Sequence, residues 1–144
     1  MNALMLLMLA ISFMPPPRKK QPAIRNVVNV SVDVYGKVDH CPPANGKWYE
    51  YRELRKIVGG LIQEIPIPGT DLVMLIDEEG GPNIKNLPLN QCATKILEDA
   101  FKHDASEIES LLTSMFGAQV VLLGGGVRVA IFGKVMIVHE STLR

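Results

Sequence analysis

The feature that most constrains the fold is the Gly59-Gly60 pair, which separates an amphipathic segment from two apolar ones. In residues 51–58 the apolar side chains recur at helical spacing, so a short helix is predicted. Glycine accepts the left-handed backbone that commonly ends a helix, so we expect the helix to stop at this pair. Residues 61–67 and 72–76 then read as strands. The second of them is apolar throughout, which is typical of a central strand covered on both faces.

Hydrophobic periodicity and turn residues predict the remaining elements. Further strands are expected at 27–35, 119–123, 127–132 and 134–139, and further helices at 91–102 and 106–116. A chain of 144 residues is long enough for one domain with its own core. We therefore expect a single α+β domain over residues 27–144, with a mixed sheet of about six strands packed by about three helices.

The N-terminal segment is unlike the rest of the chain. Residues 1–14 (MNALMLLMLAISFM) form an apolar arm or anchor, and residues 15–26 form a linker rich in proline and basic residues. The apolar run is shorter than the ~20 residues that span a bilayer. A docking arm, a signal or membrane anchor, and an alternative start at Met14 are all compatible with it. The docking arm is favoured, because an exposed apolar run is an association surface. The contact residues would be Leu6, Leu7, Leu9, Ile11 and Phe13.

Charge and cysteine content exclude several classes of function. Lys+Arg and Asp+Glu are equal at 15 each, whereas a nucleic-acid-binding protein usually has a basic excess, so nucleic acid is not expected as a partner. The two cysteines, Cys41 and Cys92, are too few for a disulfide framework or a structural zinc site. No motif indicates a cofactor.

A small-ligand site of nucleotide type is one interpretation of Gly59, Gly60, Trp48 and Asn90. Each residue also has a structural interpretation. The glycines would end a helix, Trp48 would pack the start of that helix against the sheet, and Asn90 would cap the next helix. In a phosphate-binding loop the glycines lie between a strand and a helix N-terminus, whereas here they follow a helix. The structural interpretation is therefore favoured, and the ligand site remains the alternative.

A divalent-metal site or a general base is one interpretation of the acidic run Asp77, Glu78 and Glu79 at the end of a predicted strand. The other interpretation is an acidic turn, for which the following Gly80-Gly81 supplies the backbone freedom. No second carboxylate or histidine cluster follows at a spacing that would complete a site. The turn is therefore favoured.

Four segments together resemble the domain-of-unknown-function 3846 family. They are LRKIVGGLIQE (54–64), LVMLIDEEG (72–80), LPLNQCAT (87–94) and FGKVMIV (132–138). The similarity extends over about 27–138 and implies a setting in bacteriophages, large DNA viruses of algae or bacterial mobile elements. It supplies no catalytic residues. The arm and linker, and the predicted helix between Asp104 and Gly117, depart from the family pattern and look like docking surfaces.

The expected function is that of a non-enzymatic viral or phage protein acting through protein–protein contacts, for example as a minor virion or assembly component. The partner would be another protein or a second copy, held through the N-terminal arm, and residues 1–14 would also fit a membrane. The protein would then reside in the virion or inside the infected cell. The alternatives are the small-ligand module and the metal-dependent enzyme described above.

Overall fold

Two almost wholly apolar strands lie side by side in the centre of the main sheet. The computed structural model describes residues 28–103, 118–123 and 126–144. The strands in chain order are β1 (Val30–Val32), β2 (Val38–His40), β3 (Ile62–Pro66), β4 (Leu72–Asp77), β5 (Ala118–Leu123), β6 (Gly126–Ile131) and β7 (Val135–His139). The helices are α1 (Tyr51–Val58) and α2 (Gln91–His103), and a 3₁₀ turn (Glu140–Thr142) follows β7.

The main sheet has five strands in the order β2-β1-β7-β4-β3. Every neighbouring pair in it is antiparallel. The predicted α+β class is confirmed, but the prediction of a mixed sheet is wrong. A parallel pair needs a long crossover, whereas β1–β2 and β3–β4 are joined by short turns. Strand β7 then enters between β1 and β4 and runs opposite to both.

Strands β5 and β6 do not join the main sheet but pair with each other. This pair packs on α2, where the N–H of Ile131 donates to Thr94 Oγ1 at 3.0 Å and the N–H of Val129 donates to Glu98 Oε2 at 3.2 Å. The predicted strands therefore occupy two sheets rather than one. The predicted helix at 106–116 and the N-terminal arm lie outside the described residues.

The first strand is shorter than the predicted span of 27–35. Before it, Asn29 has a positive φ of 60°. After it, Asp33 Oδ1 accepts the N–H groups of Tyr35 and Lys37, both at 2.9 Å, which turns the chain. Strand β2 was not predicted, because two of its three residues are polar and exposed, so it has no apolar alternation.

The main sheet is covered on both faces. On one face Met74, Ile76 and Ile137 pack with α2, and on the other Leu75 and Met136 pack with α1. This arrangement explains why β4 and β7 are apolar at both alternating sets of positions. Within the described ranges, neither helix is long and apolar enough to cross a bilayer.

Candidate functional site

Helix α1 is strongly amphipathic, and its solvent face is basic. It buries Leu54 and Val58 against the sheet. Arg52, Arg55 and Lys56 stand at spacings of three and four residues, so they share the opposite face. Like charges at these spacings repel one another, by a few tenths of a kcal/mol per pair. Arg52 also lies in the first turn, where the helix dipole disfavours a cation, whereas Arg55 and Lys56 lie in the last turn, where it favours one. Glu53 is an acidic residue in the same stretch.

These cations line an open groove at the end of α1. The groove has a volume of about 410 Å³ and is lined by Arg52, Arg55, Lys56, Gly59 and Gly60. Among these described lining residues there are three cations and no carboxylate. The side chains that line the groove therefore carry a net positive charge.

The first glycine of the corner ends α1. Gly59 has a left-handed backbone with φ 100°, and its N–H donates to the carbonyl of Arg55 at 2.7 Å. A Cβ at this position would meet nothing within 4 Å. Glycine is thus favoured here by the backbone conformation, as the sequence predicted, and not by crowding.

The second glycine lies directly against an ion pair. A Cβ on Gly60 would stand 2.5 Å from Lys85 Nζ and 2.6 and 2.7 Å from the two carboxylate oxygens of Asp77. All three distances are shorter than a carbon atom tolerates. Gly60 therefore lets the backbone pass directly over a Lys85–Asp77 ion pair.

The ion pair has a buried member and a partly exposed one. Lys85 Nζ lies 2.6 Å from Asp77 Oδ2, and the side chains are 34% and 1% exposed respectively. Asp77 Oδ1 accepts the N–H of Glu79 at 2.9 Å, and Lys85 Nζ donates to the carbonyl of Gly59 at 3.4 Å. Because Lys85 neutralises Asp77, this carboxylate does not cancel the positive charge of the neighbouring groove.

The acidic run is not assembled into a metal site. Asp77 is occupied by Lys85, and Glu78 and Glu79 are half-buried in the turn. In the described part of the chain, no three Asp, Glu, His or Cys side chains are placed to hold a metal ion. The metal interpretation of this run is thus unsupported by the geometry, and the turn interpretation fits it.

The structure does not bring Trp48 and Asn90 to the glycine corner. Trp48 lies at the opposite end of α1, which is about 12 Å long, and its ring stacks on the guanidinium of Arg144 at 4.1 Å. Asn90 is fully buried on the α2 face of the sheet, where its Nδ2 donates to the carbonyls of Val32 and Gly133 at 3.0 and 2.9 Å. Its Oδ1 accepts the N–H of Ala93 at 3.0 Å, which is the predicted helix cap.

Sequence reasoning singled out neither the three cations of the groove nor Lys85. The spacing of Arg52, Arg55 and Lys56 was a usable signal, because residues three and four apart lie on one face of a helix. Lys85 left no local signal, since its partner Asp77 lies eight residues away along the chain.

Neither cysteine has the character of an activated nucleophile. Burial raises the pKa of the Cys41 thiol and that of the Cys92 thiol, so both favour the protonated form. Comparison with protein-family models, with curated proteins and with solved structures found no match.

Proposed function

We propose that this domain is a non-enzymatic binding module that holds a small phosphate-bearing ligand in the basic groove at the end of α1. The observation that carries the proposal is the set of three cations on one face of α1, with no carboxylate among the described lining residues. Cations at these spacings repel one another, and a bound anion would relieve that repulsion.

The chemistry of the groove suits phosphate. The planar guanidinium groups of Arg52 and Arg55 can each donate two hydrogen bonds to phosphate oxygens, and Lys56 adds a compact positive charge. The last turn of α1 also directs carbonyls toward this end, equivalent to about half a negative charge. The three full positive charges of the side chains outweigh this partial negative charge.

Calorimetric titration of the full chain with tripolyphosphate tests the proposal. We expect binding that weakens as salt is raised, because exposed charge interactions are screened. The double variant R52Q/R55Q should weaken binding at least tenfold. The control K37Q/K95Q removes the same amount of charge from exposed positions outside the groove and should bind like the original chain. Absence of binding, or equal loss in both variants, would reject the groove.

A second candidate function is protein–protein contact through the N-terminal segment, in the setting of a virus or phage. It is supported by the five large apolar side chains Leu6, Leu7, Leu9, Ile11 and Phe13 within residues 1–14, followed by a proline-rich linker. In this proposal the segment is a docking arm, the chain is a minor virion or assembly component, and the predicted third helix adds a second contact surface. The protein would be found in particles or inside infected cells.

Deletion of residues 1–20 tests the second candidate. The mass in solution of the full chain and of the shortened chain would be measured by light scattering. Loss of a dimer or larger assembly on deletion supports the docking arm. If the full and the shortened chain are both monomers, and the shortened chain still binds every protein that the full chain binds, the docking arm is rejected. Both candidates can hold in one protein, since they use different parts of the chain.

A further inference from the structure

An exposed aromatic ring lies beside the basic groove. Tyr51 is the first residue of α1 and is 52% exposed, although its ring is large and apolar. The guanidinium carbon of Arg55, which lines the groove, lies 6.0 Å from the centre of this ring. The ring and the cations of the groove are therefore parts of one continuous surface.

The ring of Tyr51 is restrained at both ends. At one end it is attached to α1, and at the other the N–H of Ile62 points to its hydroxyl oxygen at 3.4 Å. Ile62 begins β3, two residues after Gly60, so the ring bridges the two elements that flank the glycine corner. A flat apolar surface that is already held in place loses little entropy when a second ring stacks on it.

We infer that the ligand is a nucleotide whose phosphates lie in the groove and whose base stacks on the ring of Tyr51. This inference rests on the proposed phosphate-binding function and names the ligand class. The groove volume of about 410 Å³ is at the small end for ligand sites, so it suits the phosphate groups and leaves the base outside. Tyr51 is the aromatic surface that lies beside it.

The extent of the surface favours a mononucleotide over a nucleic-acid strand. The three lining cations lie within five consecutive residues of one helix, a rise of about 6 Å. Proteins that bind single strands combine a longer basic groove with several stacking rings in succession. A single ring beside a short cation cluster matches one base and its phosphates.

The experiment compares ATP, tripolyphosphate and a thymidine decamer by calorimetry on the full chain. Stacking of one base on an aromatic side chain is worth enough for Tyr51→Ala to lower ATP affinity by about fivefold or more. Tripolyphosphate affinity should change less than twofold, because it has no base. Tyr51→Phe keeps the ring and should bind ATP within about twofold of the original chain. Tyr51→Leu keeps apolar bulk without the ring and should behave like Tyr51→Ala.

Tyr35→Ala is the matched control. Tyr35 is 92% exposed and lies in the turn between β1 and β2, away from the groove, so its removal should leave both affinities unchanged. Equal weakening of ATP and tripolyphosphate by Tyr51→Ala, or unchanged ATP affinity, would overturn the nucleotide inference while leaving the phosphate site intact. Tighter binding of the decamer than of ATP would replace the nucleotide with a single strand. Absence of binding by all three probes would reject the phosphate site itself.

Discussion

At the scale of single residues, the two glycines of the corner serve different physical purposes. Gly59 adopts a left-handed backbone in open space, whereas Gly60 has an ordinary φ but stands against the Lys85–Asp77 pair. A glycine pair is usually interpreted only as a flexible break between two elements. Here the second glycine also lies at a long-range contact, which places β4 and the 77–85 turn against the end of α1.

Alanine substitutions separate the two purposes. Gly59→Ala should cost about 1–2 kcal/mol of unfolding free energy, the usual price of a left-handed residue with a Cβ. Gly60→Ala should cost more, about 2–4 kcal/mol, because the new Cβ displaces Lys85 and leaves the buried Asp77 carboxylate without its partner. Urea unfolding of both variants checks the order. A Gly60→Ala variant as stable as the original chain would contradict the contact with the ion pair.

The ion pair should respond asymmetrically to the loss of each member. Lys85→Met leaves the Asp77 carboxylate, only 1% exposed, buried with no cation beside it, and should destabilise the fold by about 3 kcal/mol. Asp77→Asn should cost about 1 kcal/mol, because the side chain of Lys85 is 34% exposed and can turn to water. Chemical denaturation of the two variants gives both values. The reverse order would show that Lys85, and not Asp77, is the constrained member.

At the scale of elements, Asn90 joins three of them through one side chain. It caps α2 through Ala93, and it braces the end of β1 at Val32 and the turn before β7 at Gly133. Its backbone N–H also donates to the carbonyl of Ile131 at 2.7 Å. The residue thus fixes the start of α2 against the sheet, which explains why an amide rather than a hydroxyl or carboxylate occupies this position.

Substitutions at Asn90 distinguish helix capping from sheet bracing. Asn90→Ala removes the cap and both donated hydrogen bonds, and should lower the unfolding free energy by about 3 kcal/mol. Asn90→Asp preserves the cap acceptor but directs an oxygen at the carbonyls of Val32 and Gly133. It should therefore be no more stable than Asn90→Ala, as measured by thermal unfolding at neutral pH. Recovery of stability in Asn90→Asp would mean that capping alone matters.

At the scale of the whole molecule, the sequence predicted the elements better than their arrangement. Helices α1 and α2 and strands β3, β4 and β7 were found to within a few residues, because their apolar periodicity reflects burial against immediate neighbours. The separation of β5 and β6 from the main sheet was missed, since strand pairing depends on contacts distant in sequence. Strand β2 was missed because an exposed edge strand needs no apolar pattern.

In the candidate site, too, the sequence predicted the roles of single residues better than their arrangement in space. Gly59 and Gly60 were singled out from local sequence, and the cap at Asn90 was predicted from its position before a helix. The role of Lys85 was not accessible, because it depends on the turn that returns the chain over Gly60. The grouping of Trp48 with the glycines did not hold, because an intervening helix places them at its opposite ends. The local sequence thus identified residues that begin or end helices. The groove that the cations and glycines form together could be recognised only from the fold.

The last prediction concerns the whole molecule at alkaline pH and begins with Tyr49. Its buried hydroxyl donates to the carbonyl of Cys41 at 2.6 Å, and burial raises the pKa of Tyr49 above its ordinary value near 10. Burial also raises the pKa of the Cys41 and Cys92 thiols above their ordinary value near 8.5. In each case the folded protein keeps a proton that the unfolded chain releases. The stability from these groups is therefore complete below about pH 8, begins to fall as the pH passes the unfolded pKa values, and is lost as the pH rises through the higher folded pKa values.

Each retained proton lowers the unfolding free energy by about 1.4 kcal/mol per pH unit once the unfolded group is ionised. Urea unfolding from pH 7 to pH 11 should show stability falling above pH 8.5 and more steeply above pH 10. Tyr49→Phe loses the hydrogen bond to Cys41, so it should be about 1 kcal/mol less stable at pH 7. Its stability should then fall less steeply above pH 10, because the buried phenol no longer contributes. Equal slopes for Tyr49→Phe and the original chain would show that another group governs alkaline unfolding.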